Sequence, residues 1–273
     1  LPYLSCLHQN TGINHLQNQF FMKIIDLSVT ISMDIKEPLP TKIDYEDHPT
    51  GAKKMGAKLF DGLPTDAFLE GNGPAGEFLY VTGHTGTHVD APWHYFPTCA
   101  GEKSRTIEDL PLEWFFSDGV VLDFTDKPDG YCITVEDLQA KLAAIQYTLK
   151  PFDIVLIRCD ADKRLHDDDF VRIHVGASAE ATHWLIDQGI KVMGTDGWGW
   201  DIPMHIQVQE YLKDPRPGII WAAHYVGREK EYCQIEKLAN LDQLPPFGFK
   251  IACFPAKIKG GSAGWTRAVA IFE

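Results

Sequence analysis

Four side chains able to bind a divalent metal or carry a proton fall within eleven residues: His84-Thr85-Gly86-Thr87-His88-Val89-Asp90-Ala91-Pro92-Trp93-His94. Imidazole nitrogens and carboxylate oxygens suit zinc and manganese. A catalytic centre needs about three protein ligands, with one position left for water. His84, His88 and Asp90 supply that set, and His94 remains as a titrating group suited to moving a proton. A solvent-facing loop accounts for one lone histidine more easily than for this array. Gly86, two threonines and Pro92 oppose a continuous helix, so the segment reads as a strand end passing into a turn.

Such a cluster needs a scaffold, and β-branched and aromatic runs bounded by turn residues predict one. Strands are expected at Ile24 to Ile31, Glu77 to Thr82, Gly119 to Phe124, Ile154 to Cys159, Lys191 to Gly194, Gly218 to Ala222, Phe249 to Phe254 and Thr266 to Phe272. Thr134 is a natural N-cap for a helix to Ile145, with Val135, Leu138, Leu142 and Ile145 along one face. Ser178 caps a second helix, which Gly189 stops. Between Ser32 and Gly76 lies a Pro- and Gly-rich excursion, long enough to cover a site, contact a neighbouring subunit or simply meander over the surface.

With 38 acidic against 25 basic residues, the net charge of −13 leaves no basic face for nucleic acid. No apolar run is long enough to cross a bilayer. The six cysteines form no CxxC pair and several sit in apolar runs, which favours reduced thiols and a cytoplasmic setting. Residues 1–21 are rich in Gln, Asn and His without Lys or Arg, and are expected to be an N-terminal extension, native or appended. One domain over residues 22–273 is expected.

The His84 to His94 segment resembles the HxGTHxDxPxH signature of the metal-dependent cyclase-like hydrolases, which include bacterial kynurenine formamidases and isatin hydrolases; every signature position matches. Ile25-Asp26-Leu27-Ser28 resembles that family's opening strand. Gly189-Ile190 through Gly194-Thr195-Asp196 resembles its GI…GxD segment, and Gly261-Ser262 through Arg267-Ala268-Val269 its closing strand. The resemblance runs from Met22 to the C-terminus. It implies an α/β domain with a mixed, barrel-like central sheet of the swivelling β/β/α type, one or two Zn2+ or Mn2+ ions per chain, and a homodimer or homotetramer. His224 and Glu236, twelve residues apart, match the family's second histidine and glutamate. Read alone, His224 is an ordinary core or surface histidine and Glu236 a helix-face charge. By the same resemblance His94 is the proton carrier, and the expected reaction is cleavage of an amide or cyclic amide C–N bond by metal-bound hydroxide, on an isatin-like or N-formylkynurenine-like aromatic small molecule. The alternative is a metal- or small-molecule-binding protein of the same fold without turnover.

Trp198 and Trp200, in Gly197-Trp198-Gly199-Trp200, are candidates to stack on a flat substrate, although tryptophans more often fill the core. Gly260-Gly261-Ser262-Ala263-Gly264 spells a nucleophile elbow, but no histidine follows it. Gly71-Asn72-Gly73-Pro74-Ala75-Gly76 spells a dinucleotide loop that Pro74 interrupts. His48, His166, His183 and His205 show no partner pattern and are read as surface or helix-face residues.

Overall fold

A run such as Ile154-Val155-Leu156-Ile157, apolar at every position, can be a strand only where both faces of a sheet are covered. In the computed structural model, which describes residues 22–272, that is its environment. Ile154 and Leu156 join one core with Val121, Val192, Ile235 and Ile251, while Val155 and Ile157 join another with Leu122, Leu138, Leu142 and Leu185. Strands Phe116–Asp123, Ile154–Arg158, Val192–Thr195 and Cys233–Glu236 lie parallel at the centre of a nine-stranded mixed sheet. Beyond Phe116–Asp123 come Lys250–Ala252, Val269–Phe272 and Lys23–Asp26, each antiparallel to its neighbour. Beyond Cys233–Glu236 come His88–Asp90 and then Ala263–Trp265, again antiparallel. The sheet curls into a half-barrel, as expected for a barrel-like α/β fold.

Helices Val135–Ala144 and Ala179–Asp187 cover the second face with Leu138, Leu142, Leu185 and Ile186. Both start at the expected caps. Thr134 Oγ1 accepts from the Asp137 amide at 3.2 Å while the Asp137 carboxylate accepts from the Thr134 amide at 3.0 Å, a reciprocal capping box. Ser178 Oγ accepts from the Ala181 amide at 3.0 Å, and Gly189 leaves the second helix at φ +89°.

The excursion has its own structure. Lys42–Glu46 pairs antiparallel with Gly76–Tyr80, and between them runs a helix, His48–Leu59, capped by Asp47. Gly51 lets that helix touch the returning chain, since a Cβ there would lie 1.8 Å from the Pro74 carbonyl oxygen.

Other elements also differ from the sequence reading. Gly218 to Ala222 is not a strand but a pair of turns, with Gly218 at φ +91° and Trp221 at φ +59°, backbone that no strand accepts. A helix at Met204–Lys213 was not anticipated: its one buried side chain is the polar Gln207, while Met204, Val208 and Leu212 are exposed, so it carries no inward apolar stripe. The short strand Cys233–Glu236 was likewise not anticipated, and it places Glu236 in the sheet rather than on a helix. Cys99, Cys132, Cys159, Cys233 and Cys253 are free thiols. No helix among the described residues is long and apolar enough to cross a membrane. The expected extension at residues 1–21, and with it Cys6, lies outside the described residues.

Removing the Thr134 hydroxyl tests how far local capping holds the second face. Thr134→Ala is expected to destabilise the protein by about 1 kcal/mol, read as a lower midpoint in urea at unchanged slope.

Candidate metal centre and pocket

The His84 to His94 segment enters the sheet from a turn. Gly86, at φ +64°, bends the chain so that His84 arrives from the side, while His88 and Asp90 sit two apart on one strand and share a face. Val89 between them points into the core. In the register with Cys233–Glu236, His88 lies opposite Glu236 and Asp90 opposite Gln234, so the Glu236 carboxylate faces the same way as His88. Pro92–Tyr95 then forms a single helical turn that brings His94 back over Asp90. A strand end followed by a turn is what the residue types required.

The distances converge on Asp90. Its Oδ1 lies 2.9 Å from His84 Nδ1 and 3.2 Å from His88 Nε2. Its Oδ2 lies 3.9 Å from both His94 Nε2 and His224 Nε2. Glu236 closes the group, with Oε2 3.5 Å from His88 Nε2 and Oε1 3.8 Å from His224 Nε2. The six expected side chains, His84, His88, Asp90, His94, His224 and Glu236, therefore meet in one place, and two overlapping triads are close enough to share a cation: His84, His88 and Asp90, and Asp90, His94 and His224.

Each candidate ligand is steered by a second partner. His88 Nδ1–H donates to the Gly86 carbonyl at 2.8 Å, turning Nε2 inward. His84 Nε2 is held by Ser262 Oγ at 3.0 Å, turning Nδ1 inward. His224 Nδ1 is hydrogen-bonded to the Asp201 carboxylate, turning Nε2 inward. Outer hydrogen bonds of this kind fix the orientation of metal-binding imidazoles.

Buried His88 Nε2 and both oxygens of Asp90 have no hydrogen-bond partner among the described residues. Buried polar atoms are rarely left unpaired. The donor set, with its unpaired atoms, fits a divalent ion.

The electrostatics agree. Burial works to raise the Asp90 carboxyl, but the imidazoles of His94, His84 and His88 hold it well below the ordinary carboxylate range. Burial also lowers His84, yet Asp90 outweighs it and the net shift is upward. Burial, joined by the Asp90 charge, raises Glu236. His224 would be lowered by burial, but its bond to Asp201 lifts it to about 9. Burial takes His94 down to about 4, with the neighbouring imidazoles overcoming Asp90, so it is neutral near pH 7.

His84, His94, His224 and Glu236 of the array line the floor of a cavity of about 340 Å3. Trp198, Trp221, Leu39, Ile202 and Met204 give it apolar walls, in the size range of small-molecule sites. Trp221 stacks on His224, centroids 5.4 Å apart at 20°, and lies 5.8 Å from the His94 ring.

Trp198 reaches the cavity as expected, but the Trp200 side chain does not. It is 1% exposed in the core, its indole N–H donating to Thr182 Oγ1 at 3.0 Å, and only its backbone N–H touches the array, donating to Glu236 at 3.1 Å. The aromatic wall that sequence reading missed is Trp221, hidden in a run that mimics a strand. Asp201 and His174 were missed as well, and no spacing pattern marks either.

The Cyclase family model matches residues 25–202, more than half of the chain. The chain belongs to this family. The match contains the His84 to His94 segment and stops short of His224 and Glu236, which the sheet register and the turn before His224 bring in. Among curated relatives, this Cyclase-family chain is 27% identical over 192 residues to a kynurenine formamidase of Salinibacter ruber, spanning 70% of the chain and 77% of the relative. It is 25% identical over 213 residues to an isatin hydrolase of Roseibium aggregatum, spanning 74% and 77%. Among solved structures it is similar to isatin hydrolase A from Ralstonia solanacearum, with TM-score 0.73, 25% identity and 92% of each chain covered. At family level these relatives support a hydrolase whose His/Asp cluster can hold a metal.

His174 supplies a test of the pocket's polar lining. It is 1% exposed, its Nε2–H donates to the Asp201 carbonyl at 3.1 Å, and burial lowers it to about 4. Its folded value lies below the unfolded one near 6.5, so the unfolded chain takes up the proton first on acidification. The stability it contributes is complete above about pH 6.5 and is lost as the pH falls toward 4, by up to roughly 3 kcal/mol. His174→Gln is expected to flatten the fall in unfolding free energy between pH 7 and 4, measured by urea denaturation across that window.

Proposed function

We propose that this protein is a divalent-metal-dependent amidohydrolase acting on an aromatic amide or cyclic amide, isatin-like or N-formylkynurenine-like. The observation that carries this reading is the convergence of unpaired, buried His88 Nε2 and Asp90 oxygens with His84 at the floor of an aromatic-walled cavity. His84, His88 and Asp90 would hold one ion, with His224 and Glu236 available to a second or to the same one. A divalent zinc or manganese ion in this donor set supplies Lewis-acid chemistry, polarising an amide carbonyl and making water more acidic.

The remaining work falls to the protein's own groups. His94 is neutral and lines the cavity, so its ring can accept a proton from water and return one to the departing nitrogen. Trp198 and Trp221 offer flat apolar faces that orient an aromatic substrate over the array, and burial of those faces excludes water from the reacting carbonyl. Asp201 holds His224 in place through its Nδ1. A protein that only bound metal or a small molecule would have no use for the neutral imidazole of His94.

Asp90→Ala is expected to lose both bound metal and turnover, read by elemental analysis beside hydrolysis assays on isatin and N-formylkynurenine. His94→Ala should keep its metal while kcat falls by about two to four orders of magnitude, the usual contribution of an acid–base group. Normal turnover in that variant would remove His94 from the reaction. Stoichiometric metal in the wild-type chain without hydrolysis of any aromatic amide would favour the binding-protein reading.

A further inference from the structure

Outside the metal array and Asp201, two charged side chains line the cavity: Glu37 and Lys237. Lys237 follows directly on Glu236 at φ +57°, and its backbone N–H donates to the Gly197 carbonyl at 3.0 Å. Its ammonium donates to the His84 carbonyl at 2.8 Å and lies 5.5 Å from the centre of the Trp198 ring. The same ammonium is 2.7 Å from Glu37 Oε1, at ion-pair distance although its angles fall outside those of a formed hydrogen bond. Both side chains are buried, 4% and 7% exposed.

Glu37 belongs to the excursion. Two residues before it, Ile35 is pinned in a small cluster with Phe170, Ile173 and Trp198, and directly after it Pro38 and Leu39 face the cavity. The ion pair therefore joins the excursion to the turn that carries His84. Two buried opposite charges are tolerable together, whereas either alone is strongly unfavourable. While Glu37 is in place, the one ammonium on the wall is neutralised, and an incoming carboxylate meets a carboxylate already seated there.

We propose that Glu37 is a specificity-determining residue: through its pair with Lys237 it closes the outer wall of the cavity and reserves it for uncharged amides, turning away ligands that carry a carboxylate. This rests on the aromatic-amide reading of the site and narrows it toward neutral cyclic amides. Lys237 acts as a positioning residue, holding the His84 turn and the excursion together. Without the Glu37 charge, its ammonium is left at the wall with a backbone carbonyl alone, and a ligand carboxylate becomes its natural partner.

Binding of benzoate and its uncharged counterpart benzamide tests this, by calorimetry on the full-length, metal-loaded chain. Glu37→Gln should tighten benzoate about tenfold over wild type, in line with one gained charge-assisted contact, with benzamide changed much less. Adding Lys237→Met to that variant should abolish the gain. Benzoate bound at the metal contributes to all three proteins alike and cancels in the comparison. Equal benzoate affinity in wild type and Glu37→Gln overturns the proposal, as does a gain that survives Lys237→Met. Should Glu37→Gln fail to fold, Glu37→Ala removes the same charge and should show a gain in the same direction; no gain there overturns the proposal equally. The readout needs no turnover, so failure to hydrolyse any aromatic amide would sink the hydrolase reading separately.

Discussion

Asp90 is a carboxylate with no solvent exposure and no hydrogen-bond partner among the described residues, set in the interior of a sheet. Such a group is unfavourable unless positive charge surrounds it, and four imidazoles within 3.9 Å answer that need only in part. The rest of the site follows from this constraint. Glu236 faces His88 across two strands, Ser262 and Gly86 hold the outer nitrogens of His84 and His88, and Asp201 holds His224. The inward nitrogens of His84, His88 and His224 converge on the Asp90 and Glu236 oxygens, and the outward nitrogen of each of these three histidines is already bonded. A divalent cation is the partner this geometry suits.

The sheet explains why so demanding a cluster is tolerated. Ligands on strands and on a turn locked to them are held more precisely than ligands on free loops. His88 and Asp90 lie on a strand flanked on both sides by antiparallel partners, with Val89 anchored in the core between them. The groups that wall the cavity come from less regular backbone: Trp221 from a left-handed turn, Trp198 from the loop after Val192–Thr195, Leu39 from the excursion. The candidate ligands thus sit on regular elements and the cavity walls on loops, a division that lets the walls vary while the His/Asp cluster stays fixed.

Much of this was legible in the chain. The runs at Ile154 and Lys191 declared buried strands because no polar residue interrupts them, and Thr134 and Ser178 declared helix starts because a hydroxyl before an apolar stripe has few other uses. The His84 to His94 array was readable because its donor types are dense and local. His224 and Glu236 were reached through family resemblance rather than physics, since neither lies near a second donor in sequence. Ser262 lay inside a recognised motif, yet its bond to His84 spans 178 positions and nothing local announces it. Trp200 was misplaced because alternation in a Gly-Trp-Gly-Trp turn does not say which ring faces inward; a single hydrogen-bond acceptor, Thr182, decided it.

Sequence alone determined which residue types are available as ligands, that the ligand segment must be extended and then turn, and which runs have to be buried. Those are local properties, set by side-chain chemistry and backbone sterics within about ten residues. Tertiary structure decided the rest: that Glu236 stands opposite His88, that the apolar run ending at Trp221 becomes a cavity wall instead of a strand, and that Glu37 from the excursion meets Lys237 beside the metal array. These are matters of register and long-range packing, where a shift of one residue would turn each side chain to the other face, and only the folded sheet fixes that register.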